Sequence, residues 1–198
     1  MYKLAETGVF WTINGEATHL GQPMCFVRFA GCSVGCRRCD TNYLETHTLS
    51  QRDLVRKIDK VIPSEFQATR PWVWLTGGEP TDQDIQPLIT KLTESGYRVA
   101  LAESGHNQRR LEGLSWRSVS PHRRIENLYG SEVKLVPNLG GLTWDDMHTA
   151  KLWARHFSRR WVQPLAGDPL ELTLCLDFVQ SEPGYQLSIQ AHNAWRIP

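Results

Sequence analysis

The sequence predicts an α/β protein, an incomplete β/α TIM-like barrel of about six parallel strands, with residues 1–198 as a single domain. Three observations predict it. Short apolar runs alternate with amphipathic stretches, the pattern of right-handed βαβ units on a parallel sheet. Six or seven such units are too few for a closed eightfold barrel. The glycine-rich and polar motifs nearly all stand directly after the apolar runs, at the strand ends where such barrels carry their active sites.

Taken in order, residues 1–22 hold Asn14-Gly15, a turn signal that predicts a hairpin. Met24–Ala30 (MCFVRFA) reads as a buried strand with one charge, Arg28, in its middle. Gln51–Ile62 is an amphipathic helix: Leu54, Val55, Ile58, Val61 and Ile62 share a face, Ser50 caps it and Pro63 ends it. Trp72–Leu75 is a short strand. Asp84–Ser95 is a helix with Ile85, Leu88, Ile89 and Leu92 inward and Gly96 as its stop. Strands follow at Tyr97–Leu101, Trp116–Val119 and Glu132–Val136. Thr143–Ser158 is a helix capped by Thr143 ahead of Asp145 and Asp146. Trp161–Val162 is a strand, Asp168–Gln180 a helix with Pro169 in its first turn, and Tyr185–Gln190 the last strand.

Composition excludes several classes. A formal net charge of +1 gives no bulk attraction to nucleic acid or to a membrane surface. No apolar run reaches transmembrane length, and MYKLAETGVF lacks the apolar core of a signal peptide. The expected location is cytoplasmic, where thiols stay reduced. Five cysteines, three of them clustered, are not a disulfide framework. Cys25 and Cys175 read as buried, inert thiols, and most of the eight tryptophans as packing.

The chemistry concentrates in GCSVGCRRCDT, residues 31–41, where Cys32, Cys36 and Cys39 have C-x3-C-x2-C spacing. Thiolates this close suit one soft metal centre, an iron–sulfur cluster or zinc. A zinc knuckle would be finished by a distant histidine. Three thiolates on a four-iron cluster leave one iron open to a substrate or cofactor. About forty residues on, Thr76-Gly77-Gly78-Glu79-Pro80 follows a strand. Its glycines let backbone approach a ligand closely.

Together, in that order, the two motifs resemble the radical S-adenosylmethionine (SAM) superfamily. Five further stretches resemble the 7-carboxy-7-deazaguanine synthase family. These are Thr12-Ile13-Asn14-Gly15-Glu16, Asp40-Thr41 after the third cysteine, Ser120-Pro121-His122, Gln163-Pro164, and Gln190-Ala191-His192. The resemblance implies a carbon–nitrogen lyase of 7-deazapurine (queuosine-type) biosynthesis. It would turn 6-carboxy-5,6,7,8-tetrahydropterin into 7-carboxy-7-deazaguanine with loss of ammonia. A [4Fe-4S] cluster, SAM and Mg²⁺ are the implied cofactors, and a homodimer the implied assembly.

The same resemblance implies the site. Cys32, Cys36 and Cys39 would ligate the cluster, and no further catalytic side chain is implied. SAM would meet Arg38, Cys39, Asp40, Gly78, Glu79, Ser104, Ser120, Pro121, His122, Gln163, Pro164, Leu165 and Ala166. Substrate would meet Ile13, Asn14, Gly15, Glu16, Arg28, Thr76, His192 and the carboxylate of Pro198. Thr41 would offer Mg²⁺ a hard oxygen ligand. Arg28 on an apolar strand needs a partner, and the substrate carboxylate suits it. The chain departs from the family pattern at Asn14 for Gln, at Ala102-Glu103 where the acid has moved one place on, at His122 for Lys, and at Asn193 for Lys.

The basic pairs Arg37-Arg38, Arg109-Arg110, Arg123-Arg124 and Arg159-Arg160 offer a docking patch for an acidic reductant such as a flavodoxin. The competing functions are a glycyl-radical activase and a non-enzymatic iron–sulfur or zinc module. The Cys-Asp-Thr triplet argues against the first, the glycine-rich loop against the second.

Overall fold

The structure is a computed structural model. It describes every residue except Asp40, Gln108, 124–127, Ala166, Gly167 and 196–198, and all described side chains except those of Trp153 and Trp195. The expected site residues Asp40, Ala166 and Pro198, and Arg124 of the basic pairs, lie outside the described residues.

The strands are β1 (Tyr2–Ile13), β2 (Pro23–Phe29), β3 (Glu45–Leu49), β4 (Trp72–Gly77), β5 (Arg98–Glu103), β6 (Trp116–Val119), β7 (Glu132–Leu135), β8 (Arg159–Val162) and β9 (Tyr185–Leu187). The helices are α1 (Gln51–Val61), α2 (Ser64–Gln67), α3 (Gln86–Glu94), α4 (Met147–Ala154), α5 (Pro169–Ser181) and α6 (Ala191–Trp195). Among the described residues the strands form one sheet in the order β3-β1-β2-β4-β5-β6-β7-β8-β9. The seven from β2 and β4 to β9 run parallel, one more than the six expected. β1 and β3 extend the β2 edge in antiparallel pairing. Among the described residues β3 and β9, the two ends of the sheet, do not pair with each other, so the barrel is open.

Helix periodicity places α1 and α3 as expected. Ser50 Oγ accepts the Asp53 N–H at 3.1 Å, and Leu54 and Ile58 are fully buried. Leu88, Ile89 and Leu92 of α3 pack with them against Val73, Leu75, Val99 and Leu101 of the sheet. Gly96 stops α3 at φ +85°, a conformation that favours glycine. A second core joins Val133, Leu135 and Val162 to Ala150 and Cys175 of α4 and α5. Burial pushes the Cys25 and Cys175 thiols up to about 12, so both are inert.

Three expectations change. α4 is half the expected length, and Thr143 does not cap it. Its N–H and Oγ instead both donate to the Asp146 carboxylate at 2.9 and 2.7 Å, building a turn before the helix. β3 was invisible because Glu45, Thr46, His47 and Thr48 are all exposed on an edge strand. α6 follows the last strand, where no helix was expected.

The barrel interior is aromatic. Residues alternate across each strand, so Met24 and Phe26, Trp72 and Trp74, Ala100 and Ala102, and Trp116 face inward together. The β1–β2 connection runs into this space. His19 meets Trp72, Trp74 and Trp116 edge-on, with centroids 4.9, 5.4 and 4.8 Å away. These rings close the end of the barrel at which β4 and β6 begin. Further along, Thr18 Oγ donates to Glu132 at 2.6 Å and the Ala17 N–H to Ser188 Oγ at 3.1 Å. The connection thus spans the opening between the β1 and β9 sides. No helix among the described residues is long and apolar enough to cross a membrane.

Candidate active site

A cavity of about 510 Å³ opens at the C-terminal ends of the parallel strands. Its first wall is the cysteine loop after β2, packed against the glycine loop after β4. The Gly78 and Glu79 N–H groups donate to Phe29 O and Gly31 O at 3.0 and 2.9 Å. A β-carbon on Gly78 would fall 1.8 Å from Gly31 O, so only glycine allows this approach. Ser33 donates twice to Asp82, both at 2.7 Å. Arg38 reaches Asp168, the cap of α5, at 3.1 Å.

Cys32, Cys36 and Cys39 all line this cavity, as does Thr41. Burial, with the neighbouring Cys39 and Cys32 adding to it, pushes the Cys36 thiol up to about 11. Among the described residues no three His, Cys, Asp or Glu side chains gather closely enough to hold a single metal ion. A cubane presents its irons at separate corners. Cys36 interacts electrostatically with both Cys32 and Cys39, so the three thiols are neighbours on one cavity wall and offer the thiolate donors that such a cluster takes.

Glu79 ties this wall to the next. One carboxylate oxygen accepts from Thr81 N and Oγ at 3.2 and 2.5 Å; the other accepts from Ser104 N and Oγ at 2.9 and 2.5 Å. The side chain is saturated by the chain itself and only 1% exposed. The displaced acid, Glu103, borders the cavity, but its carboxylate is held by Arg117 on the other face of the sheet. Val99, Leu101 and Glu103 share the outer face of β5, leaving Ala102 inside. Glu103 is buried there, paired with Arg117 of β6. Burial still holds its carboxyl above the ordinary range.

Ser120, His122 and Leu165 line the same side; Pro121 and Pro164 do not. Burial pulls His122 down to about 4 and the Lys134 charge adds to it, so the imidazole is neutral at neutral pH.

The opposite wall joins the two ends of the chain. The Ala191 N–H donates to Gly15 O at 2.9 Å, and the His192 ring lies on the Gly15 α-carbon. Asn14 Oδ1 accepts the Glu16 N–H at 2.8 Å, an Asx turn that aims Glu16 inward. Glu16 pairs with Lys134 and accepts from Gln190 at 3.0 Å and Gln163 at 3.4 Å. Burial pushes its carboxyl up, but the Lys134 charge, hydrogen bonds from Lys134 and Gln190 and the nearby His192 outweigh that and hold it below the ordinary value. Gln163, expected beside SAM, points its amide into this network and accepts from Ser188 Oγ at 2.6 Å. Arg28 lies over the Phe10 ring at 5.4 Å, and Phe10 stacks on Phe26. Ile13 and Thr76 complete the wall.

Sequence reasoning missed Lys134, Gln190 and the Phe10–Phe26 stack. Lys134 carried a signal close to that of Arg28: a basic residue flanked by apolar ones on a strand. Of the basic pairs, Arg159 and Arg160 are spent on Trp116 and Tyr185, whereas Arg37 and Arg110 are exposed.

No protein-family model matches the chain. It is 31% identical to the 7-carboxy-7-deazaguanine synthase of Burkholderia multivorans, covering 96% of this chain and 97% of that protein. It is 29% identical to the enzyme of the same name from Bacteroides thetaiotaomicron, covering 97% and 96%. Its fold matches the crystal structure of QueE from Escherichia coli with a TM-score of 0.69 at 24% identity, over 96% of this chain and 94% of that one. Similarity at this level along nearly the whole of both chains shows that the protein belongs to the 7-carboxy-7-deazaguanine synthase family.

Proposed function

We propose that this chain, as one domain, converts 6-carboxy-5,6,7,8-tetrahydropterin to 7-carboxy-7-deazaguanine with loss of ammonia. It is then a radical SAM carbon–nitrogen lyase of 7-deazapurine biosynthesis, in keeping with its family. The observation that carries the reading is one cavity shared by the three cysteines, the glycine loop, Arg28 and the Glu16 network. The activase and non-enzymatic readings are not favoured by these relatives.

Cys32, Cys36 and Cys39 would hold the iron–sulfur cluster. Bound together, cluster and SAM supply a one-electron cleavage that yields a carbon radical able to take hydrogen from a substrate. The saturated Glu79 carboxylate fixes Ser104 and the glycine loop as one rigid surface. SAM would meet that surface through the backbone of Gly78 and Glu79, and would also meet Ser120, His122 and Leu165. On the other wall, Glu16 would accept pterin N–H donors, while Arg28 would take the substrate carboxylate in a charge-assisted pair. His192 closes over Gly15 beside them. Half-buried Thr41 lines the cavity two residues beyond Cys39, which supports a role for its hydroxyl as Mg²⁺ ligand. Exposed Arg37 on the cysteine loop supports docking of an acidic reductant such as a flavodoxin. The exposed Leu170, Leu172 and Leu176 of α5 support a homodimer.

Anaerobic reconstitution tests the cofactor part. The chain should take up about four irons and four sulfides. Cys32→Ala, Cys36→Ala and Cys39→Ala should each abolish SAM cleavage. Full cleavage by any one of them would overturn the assignment.

A further inference from the structure

Lys134 stands on β7 between Val133 and Leu135, which pack outward against the α4–α5 layer. Alternation therefore turns Lys134 into the barrel. There it meets Glu16, which the β1–β2 connection brings from the other side of the sheet. The two side chains are 14% and 21% exposed. A partly buried ion pair is a poor way to stabilise a fold, since two apolar groups would do as well without desolvating charge. This pair also faces the cavity, where an apolar pair would have been simple to accommodate.

We propose that Lys134 is a positioning residue for substrate: it pins the Glu16 carboxylate, as an anion, where it accepts the ring and amino N–H donors of the pterin. The inference rests on the reading of Glu16 as a substrate acceptor. An ionised carboxylate has about four acceptor positions. Lys134 takes the Oε2 side, Gln190 and the long 3.4 Å contact from Gln163 the Oε1 side. The Gln163 contact is the weak one, and Gln163 already has Ser188 at 2.6 Å. Ser188 holds only Gln163 Oε1, so ligand N–H groups that take over Glu16 Oε1 free the Gln163 Nε2 group to donate to a ligand acceptor. A protonated Glu16 would present a donor where the ligand also presents donors, so the charge state decides recognition.

Among the described residues the charged and titratable groups facing Glu16 are few. Lys134 comes from β7, His192 from α6, and Gln163 and Gln190 are neutral. His122 feels the Lys134 charge and, lowered to about 4 by burial, is neutral at working pH. Glu132, two residues before Lys134, is occupied by Thr18 and Trp161. Lys134 is thus the foremost of the groups that oppose the effect of burial on Glu16, ahead of Gln190 and His192.

The test uses reconstituted enzyme with SAM. The dissociation constant of the pterin is measured without reductant, and KM and kcat with it, from pH 6 to 9. In Lys134→Met the dissociation constant and KM should rise by about tenfold or more at pH 7. Binding should tighten as pH rises, because Glu16 without its counter-ion protonates more readily. Lys134→Arg should restore most of the binding. Because an unpaired buried group can unfold a variant, the Glu16→Gln/Lys134→Met double variant is measured beside Glu16→Gln. If Lys134 acts through Glu16, its removal adds less than about threefold in that background. A Lys134→Met enzyme with wild-type, pH-flat binding, or a full additive loss in the double variant, would overturn the inference alone. A wild-type enzyme that neither binds nor turns over the pterin would overturn the substrate reading and this inference with it.

Discussion

The imidazole of His192 rests directly on Gly15: a β-carbon at residue 15 would lie 2.3 Å from His192 Nδ1 and 2.8 Å from its Cβ. The two residues are separated by nearly the whole chain, yet the ring as placed leaves room only for glycine at 15. Gly15→Ala must push His192 and α6 away from the cavity. The expected result is a loss of about 1–3 kcal/mol in stability, the range for overpacking. The pterin KM should rise more than the SAM KM. Steady-state kinetics with each ligand varied in turn would check this.

Glu79 and Ser104 make the second constraint. Replacing the carboxylate by an amide leaves donors facing donors in a buried site, which costs about 1–3 kcal/mol. Glu79→Gln should therefore lower the melting temperature by about 3–10 °C for a chain of this size. Thermal melts of the metal-free protein would show it, and an unchanged melting temperature would mean that the four hydrogen bonds do not anchor the loop.

His122 gives a pH prediction. Burial, with Lys134 adding to it, lowers it to about 4 in the folded chain, against an ordinary value of 6.5. Between those values the unfolded chain binds the proton and the folded chain does not. Stability is therefore complete above pH 6.5 and falls as pH drops toward 4, by up to about 3 kcal/mol from this group. His122→Gln should remove that component. Denaturant melts of the metal-free wild type and variant at pH 7 and pH 5 would reveal it as a difference between their pH slopes, steeper in the wild type.

Much of this was legible in the sequence. Leu54, Ile58, Leu88, Ile89 and Leu92 announced α1 and α3 through helical spacing, and apolar runs marked the parallel strands. The cysteine, Gly77-Gly78 and Asn14-Gly15 loops were readable because each has local chemistry. What stayed hidden is long-range. Nothing near His19 says that its ring will sit among Trp72, Trp74 and Trp116. Glu103 looked like a displaced site acid, and only the alternation of β5 shows that it turns outward to Arg117. Lys134 needed Glu16, 118 positions away, to become intelligible.

Thr41 offers a separable test of the magnesium role. Thr41→Val keeps the shape and removes the hydroxyl beside Cys39. Turnover should fall about tenfold or more at limiting Mg²⁺, while the cluster absorbance stays intact. Wild-type magnesium dependence in the variant would withdraw Thr41 as a ligand.

The central claim is the reaction itself. The direct measurement is anaerobic incubation of the reconstituted protein with SAM, a one-electron reductant, Mg²⁺ and 6-carboxy-5,6,7,8-tetrahydropterin, followed by mass spectrometry. The account predicts a product with the mass of 7-carboxy-7-deazaguanine, ammonia released in equal amount, and SAM not consumed in proportion. SAM cleavage in the presence of unchanged pterin, with no such product, would contradict it.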